Sequence, residues 1–520
     1  GSGLEQRGGN ELDACQYCFS NEDIYKELER YIVDNFGDGK GHSRKFMIMP
    51  NDNDIVCTCK LCLSNGNTPK NATPAVTRLI KQLATRYPDH MFFTTAYLTT
   101  IEPPKEKLPA NTGVMISTID LPKGVALNNQ KEVKAFLSTL DKWKNCTANI
   151  YIWDYAANFD DYLTPLPVLR GLKKQLGFFK SKGINGVFLN ASGYDYSPFD
   201  DMKTFVASAL MMENSLPVDS LCRLYFDKFY PTAGKSLGDY YLSLEDALEN
   251  NNKPYDIYGG FNKTMKTYLD MNRFIDFYDS LEHFISITRG DEKERLRKLR
   301  IALSYTRLQI AYYQGSDLYG FATAENGRMA IKPEMENVYN TNVQYKQYKD
   351  MSNYKEVGGS LKLYIDNWDR KYKENPFKNL LLNNPLTVLS KLDEDYPKIE
   401  VLNDGILGFG GEYHQGWHLC SVDDLSVRFG TDGLKSAKRL QIRFLQDEKH
   451  HIHLPEKIEL YKDGKIYKEI ASVEEMRHGL TQIVTYSAPV DISDAEHLNV
   501  KIYRKPGGRS SLACDEIQFD

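Results

Sequence analysis

Nowhere in the 520 residues is there an apolar run near the ~18 needed to cross a bilayer, so no membrane span is expected. A surplus of positive charge is missing too. Against 65 Lys+Arg stand 70 Asp+Glu, a formal net charge of -5. A nucleic-acid or anionic-membrane binder needs a basic footprint, so neither partner is expected. Residues Gly1 to Gln6 carry neither the basic nor the apolar part of a secretion signal. There is no Walker loop, nucleophile elbow or HExxH motif. Tryptophan is scarce, with 4 residues, whereas tyrosine reaches 34. A tyrosine joins an apolar ring face to a hydroxyl, which suits polyhydroxylated ligands and ordinary cores alike. At 41% hydrophobic residues the chain is of ordinary globular composition, and its length predicts three or four domains.

The nine cysteines are an odd number and unevenly placed. Cys15, Cys18, Cys57, Cys59 and Cys62 crowd the start, while Cys146, Cys222, Cys420 and Cys514 are scattered. A small secreted disulfide framework would be denser and more regular. The cluster Cys57-x-Cys59-x-x-Cys62, with Cys15 or Cys18 as a fourth thiol, admits a closed structural zinc site, a disulfide or reduced thiols.

Periodicity divides the chain in three. Over 1–200, short apolar strands (46–49, 92–97, 114–118, 150–153 and 186–189) alternate with amphipathic helices (22–36, 74–87, 131–143 and 168–182). Such alternation means parallel β/α units. No Gly-rich fingerprint follows any of the strands, which disfavours a dinucleotide fold and favours part of a TIM-type β/α barrel. Over 201–395 the strand signal disappears, and helices are predicted at 202–213, 219–230, 236–249, 261–287 and 291–314. Over 396–520 short alternating strands with turn clusters such as Lys462-Asp463-Gly464-Lys465 predict a β-sandwich. The expected fold is therefore multidomain: barrel portion, helical segment, C-terminal sandwich.

Barrel active sites lie on the loops after the strands. The loop Pro50-Asn51-Asp52-Asn53-Asp54 offers two carboxylates and two carboxamides there, although Asn/Asp runs also simply make turns. Ile152-Trp153-Asp154-Tyr155, followed by Asn158, Asp160, Asp161 and Tyr162, offers an aromatic platform beside an acid. Tyr97 ends a second strand, and Asn190 opens a polar, aromatic stretch after the last one. Four strand ends of this kind argue together more strongly than any alone. His450, His451 and His453 are too irregular for a helical metal motif and read as an exposed loop.

Several of these motifs occur in combination: Cys18-Phe19-Ser20-Asn21, Pro50-Asn51-Asp52-Asn53 with Cys57, Cys59 and Cys62, Ala96-Tyr97, and Tyr151-Ile152-Trp153-Asp154-Tyr155 through Asn158-Phe159. With Gly183-Ile184-Asn185-Gly186-Val187-Phe188 and Phe229-Tyr230-Pro231-Thr232-Ala233, the combination resembles the DUF4838 family. These are glycoside-hydrolase-like barrels of gut Bacteroidetes and polysaccharide utilisation, and some form glycoside hydrolase family 163, endo-β-N-acetylglucosaminidases acting on N-glycans. Residues 400–520 are similar to F5/8-type (discoidin-like) carbohydrate-binding domains, through Asn403-Asp404-Gly405, Gly416-Trp417 and Ala513-Cys514-Asp515-Glu516-Ile517. Two departures stand out. The chain begins almost at the Cys-Phe-Ser-Asn motif, ahead of which relatives carry the first barrel strands. At the last strand it reads Phe188-Leu189-Asn190, where many members have Phe-Glu-Gln.

The resemblance implies an extracytoplasmic enzyme that cleaves a β-N-acetylglucosaminide by substrate-assisted retention, without a catalytic cofactor. In that chemistry the substrate's acetamide replaces the enzymic nucleophile. Asp52 is then the general acid, raised by burial, with Asn51 or Asp54 orienting the acetamide. Asp154, Tyr97, Trp153, Tyr155, Asn158 and Asn190 hold the sugar. The alternatives are an α-glucuronidase-like exo-glycosidase using Asp52 and Asp154, or a glycan binder with a degenerate site. The resemblance also places Cys18 with Cys57, Cys59 and Cys62 as zinc or disulfide partners. In the sandwich it implies a structural calcium between Asp404 and Glu516.

Overall fold

The computed structural model describes residues 4–6, 15–325, 328–373, 379–471, 481–507 and 510–520. A short antiparallel pair, β1 (Leu4–Gln6) and β2 (Cys15–Tyr17), opens the described chain. Asn21 caps α1 (Glu22–Phe36) by accepting the Asp23 N–H, and Gly37, at φ 71°, ends it. The β/α series follows: β3 (Lys45–Met47), α2 (Lys60–Ser64), α3 (Thr73–Arg86), β4 (Met91–Ala96) and β5 (Thr112–Ser117). It continues through α4 (Lys131–Lys144), β6 (Asn149–Tyr155), α5 (Leu169–Ser181) and β7 (Gly186–Asn190).

The five strands β3 to β7 form one parallel sheet in sequential order. That is the neighbour order of a β/α barrel, and among the described residues the sheet stays open as a curled half-barrel. Alternation sorts its faces. Ile150 and Ile152 of β6 and Val114 and Ile116 of β5 pack outward on Val133, Leu140 and Trp143 of α4. The intervening residues Tyr151, Trp153 and Tyr155 project onto the inner face, where Trp153 meets Phe188 with ring centroids 4.8 Å apart. Gly113 makes room there: a Cβ at this position would lie 2.2 Å from the Phe93 ring, which instead packs edge-on against Tyr151 across it.

The helices follow as α6 (Asp200–Met212), α7 (Val218–Phe229), α8 (Gly234–Asn251), α9 (Phe261–Thr267), α10 (Met271–Ile287) and α11 (Gly290–Gln314). The single helix expected over 261–287 is two, because the Asp270 side chain accepts the Arg273 N–H and caps a new helix. Nor is this region purely helical. A hairpin, β8 (Ala322–Glu325) with β9 (Arg328–Ile331), precedes α12 (Glu334–Val343) and α13 (Leu361–Lys373).

The sandwich packs a five-stranded antiparallel sheet against a four-stranded one. The first holds β10 (Thr387–Val388), β12 (Leu425–Gly430), β14 (Lys457–Lys462), β15 (Lys465–Ala471) and β17 (His497–Tyr503). The second holds β11 (His418–Cys420), β13 (Arg439–Gln446), β16 (Gln482–Pro489) and β18 (Leu512–Phe519). Asp463 and Gly464, both at positive φ, make the β14–β15 turn. The sandwich begins upstream of the boundary at 396 drawn from sequence texture. The Asn379 amide donates to Ile517 O (3.0 Å), Leu380 N donates to Phe519 O (2.9 Å), and Leu381 is fully buried in its core.

Candidate active site

The loop after β3 is held from below by one buried side chain. The Gln16 amide accepts the Asn51 N–H at 3.0 Å and donates toward Asn51 O, Asn53 Oδ1 and Ile55 O at 3.3–3.4 Å. The Asn51 and Asn53 carboxamides both donate to Cys15 O at 3.1 Å. The amide nitrogens of both are therefore spent on shaping the loop. Asp52 and Asp54 are left exposed at the tip. The burial expected to tune Asp52 is absent, because a loop clamped through its amides projects its carboxylates outward.

Beyond β4, Tyr97 hydrogen-bonds the Asp52 carboxylate; burial first and then the Asp52 charge raise its hydroxyl. The next residue, Leu98, is held in the left-handed region at φ 44°, a conformation that β-carbon-bearing residues adopt at an energetic penalty. Tyr155 closes β6 on the inner face, its hydroxyl 3.0 Å from Ser117 Oγ. Burial, then the charges of Asp52 and Asp154, raise it. Asn190 pairs with Tyr155 in register and shares its face, while Trp153 lies further inside against Phe188.

Two expected ligands are placed elsewhere. Asp154 belongs to the outward face of β6. It is 1% exposed and paired with Lys123 at 2.5 Å, with Thr118 Oγ1 donating to it at 2.6 Å. Neighbours in a strand point to opposite faces, so Trp153, Tyr155 and Asp154 never shared a surface. The Asp52/Asp154 carboxylate pair is therefore not formed. Asn158 is buried, its amide bonded to Gly259 O at 2.7 Å and its carbonyl to the Asp160 N–H at 3.1 Å. Leu189, beside Asp154 in register, packs on the helical core, so a glutamate at that position would face the helices.

A further carboxylate near the strand ends, with no signal in the local sequence, is Glu356. Glu356 lies on the turn before α13, its N–H donating to Phe159 O at 2.8 Å. Glu356 is itself exposed at the surface; partial desolvation, then the negative charges of Asp52 and Asp160, raise its carboxyl, and Lys449 and a hydrogen bond with Tyr258 lower it. The charges of Asp52 and Asp160 thus both reach Glu356, and those of Asp52 and Glu356 both reach Tyr155 and Tyr258, which with Tyr97 line the cleft at the strand ends. The preceding Lys355 anchors the turn. Its ammonium is 2% exposed and pairs with the buried Glu412 of the sandwich at 2.8 Å, and Tyr354 donates to the same carboxylate at 2.7 Å. Tyr413 donates to Asp160 at 3.2 Å. The loop of His450 and His451, expected to be merely exposed, adjoins this cleft through Lys449 and through His450 against Tyr413 at 4.8 Å. No local periodicity signals Glu356, since only three-dimensional packing carries it to the strand ends.

In the sandwich, Glu516 is tied to the loop that carries Asp404. Gly405 N donates to Glu516 Oε2 at 3.2 Å, and the Asn379 amide to Oε1 at 2.6 Å. Burial, then the neighbouring Asp515 charge, raises Asp404 well above the usual carboxylate range. Glu516 is raised likewise by burial and then Asp404. Such a set of hard oxygens fits a divalent cation. A separate cavity of about 460 Å³ lies between α11 and the sandwich, lined by Tyr312, Lys398, Asp404 and Trp417. It holds none of the cleft acids, and the chemistry of the acids, not cavity size, decides the choice of site.

Residues 5–242, a little under half of the chain, match the family model described as Domain of unknown function (DUF4838). No curated protein matched. Among solved structures, the chain is similar over 98% of its length to BtGH115A, a family GH115 4-O-methyl-α-glucuronidase with specificity for decorated arabinogalactans. There the identity is 10%, the TM-score 0.40, and 68% of that chain is covered. A GH138 enzyme targeting pectin rhamnogalacturonan II aligns over 97% of this chain and 78% of its own, at 10% identity and a TM-score of 0.34. CpGH89CBM32-4 of Clostridium perfringens, bound to GlcNAc-α-1,4-galactose, covers 27% of this chain and 92% of its own, at 14% identity and a TM-score of 0.18.

Proposed function

We propose that this chain is a glycoside hydrolase whose acid–base work is done by Glu356 and Asp52 at the open end of the half-barrel. The observation that carries the reading is that the Glu356 carboxyl is raised by partial desolvation and by the nearby Asp52 and Asp160 charges, on a turn tied to Phe159 O at 2.8 Å. A carboxyl raised in this way is suited to be the general acid that glycosidic cleavage needs. Tyr97, Tyr155 and Tyr258 supply ring faces and hydroxyls for a sugar. Glu356 is the general acid that protonates the leaving oxygen. Asp52, steered by Tyr97, holds the acetamide of a β-N-acetylhexosaminide in substrate-assisted retention, while the Asn51 amide is bonded to Cys15 O.

A second reading has one observation behind it. Asp52 stands exposed at the loop tip, which also suits direct attack on an anomeric carbon, the two-carboxylate route of an exo-glycosidase. The sandwich would hold a further stretch of glycan, with calcium between Asp404 and Glu516 as a structural tie. The test is turnover on N-glycoproteins and on aryl glycosides with and without a 2-acetamido group. Glu356→Gln should lower kcat about 100- to 10,000-fold on any substrate the parent cleaves, at unchanged melting temperature. Near-parental kcat would sink the assignment. Turnover confined to substrates lacking the acetamide would select the second route.

A further inference from the structure

The thiols of Cys18, Cys57, Cys59 and Cys62 all lie within 4.8 Å of one another. Cys18 Sγ is 3.5 Å from Cys59 Sγ and 3.6 Å from Cys62 Sγ. A disulfide needs about 2.05 Å, far shorter than either separation. Four sulfurs each about 2.3 Å from a central zinc stand about 3.8 Å apart at the edges of the tetrahedron, close to what is found here. Three of the four are buried, in a core that includes Val56, Ile32 and Leu79. Thiols are weak hydrogen-bonding groups, and nothing in apolar packing calls for four converging on a point.

The surroundings are those of a built site. Cys59 stands at the N-cap of α2 and Cys62 one turn further on, so a single helix start presents both. Ser20 Oγ approaches Cys62 Sγ at 3.2 Å and is itself held by the Asn65 amide at 2.8 Å. The Asn67 amide donates to Cys57 O at 3.2 Å, and its carbonyl accepts the Ala75 N–H at 3.0 Å. Outer-shell bonds of this kind fix ligand orientation.

We propose that these four cysteines bind one zinc ion in a closed structural site that fixes the loop presenting Asp52. Soft thiolates in a tetrahedron select zinc among the abundant divalent metals, and with no open position the ion takes no part in chemistry. The mechanical link is short. Cys18 is two residues from Gln16, the side chain that grips Asn51, Asn53 and Ile55, and Cys57 lies just past the end of the same loop. The metal would join β2, this loop and α2 into one unit. Binding needs all four sulfurs as thiolates, so loading zinc releases their protons.

Elemental analysis of the full chain, purified without added metal, should find about one zinc per chain. Treatment with an organomercurial should release that zinc to a colorimetric indicator, a measurement that needs no variant. Cys62→Ala and Cys18→Ala should each lower the zinc content at least fivefold, while Cys222→Ala leaves it unchanged. Three results would overturn the proposal: no stoichiometric metal before or after refolding with zinc, iron in place of zinc, or metal-free protein with these thiols lost to disulfides under denaturing titration. The zinc count is independent of glycosidase activity, so failure of one reading leaves the other standing.

Discussion

Replacing Lys123 by methionine tests the reassignment of Asp154 directly. The Lys123 ammonium and the Asp154 carboxylate lie 2.5 Å apart at 3% and 1% exposure, and Lys123 also donates to Thr118 O at 2.8 Å and Thr118 Oγ1 at 3.0 Å. Burial pulls the ammonium down from its ordinary value, and the Asp154 charge holds it up. Removing one member of such a pair strands the other charge in the interior, which destabilises by about 3–5 kcal/mol, whereas replacing both by apolar groups is often nearly neutral. Lys123→Met should therefore lower stability by about 3–5 kcal/mol. At about 2–4 °C per kcal/mol for a unit of this size, the melting transition should fall by about 6–20 °C. The double variant Lys123→Met/Asp154→Leu should recover most of that loss, a coupling that chemical denaturation of all variants measures as a double-mutant cycle. A loss below about 1 kcal/mol in Lys123→Met would refute the reasoning. So would an Asp154→Asn enzyme with an unchanged transition and a tenfold higher KM, because that is how a substrate ligand behaves.

Two further expectations follow from the cleft and the sandwich. With Glu356 as the proposed general acid, its protonated form is the working one, so activity should fall as pH rises through its raised pKa. Lys449 lowers that pKa and Asp52 raises it. Lys449→Met should then move the basic limb of the pH profile upward and Asp52→Asn move it downward; a limb that ignores both would detach Glu356 from catalysis. In the sandwich, calcium should raise the melting temperature of the full chain and a chelator lower it, and Glu516→Ala should abolish both responses. A melting curve indifferent to calcium and chelator would remove the ion while leaving the Gly405–Glu516 hydrogen bond in place.

Local pattern carried a good deal of this protein. Two-residue alternation in Asn149–Tyr155 and helical spacing in residues 22–36 and 131–144 report burial that neighbouring residues share, so the β/α series and the sandwich strands could be read directly. The same alternation already separated Asp154 from Trp153 and Tyr155, since a strand cannot point adjacent side chains to one face. The loop Asn51–Asp54 was visible as a cluster of acids and amides, and the cysteine spacing as a group of thiols. Which of those groups face the cleft was decided only by tertiary structure. Gln16 turned Asn51 and Asn53 into scaffolding, and Lys123 took Asp154 into the interior. Glu356 stands 304 residues from Asp52 (356 − 52), on a turn held by Phe159 on one side and, through Lys355, by Glu412 of the sandwich on the other. The electrostatic environment of a carboxyl depends on charges and water within a few ångströms, whatever their distance along the chain. A one-dimensional pattern records the ingredients of this site, and packing alone sets which of them meet.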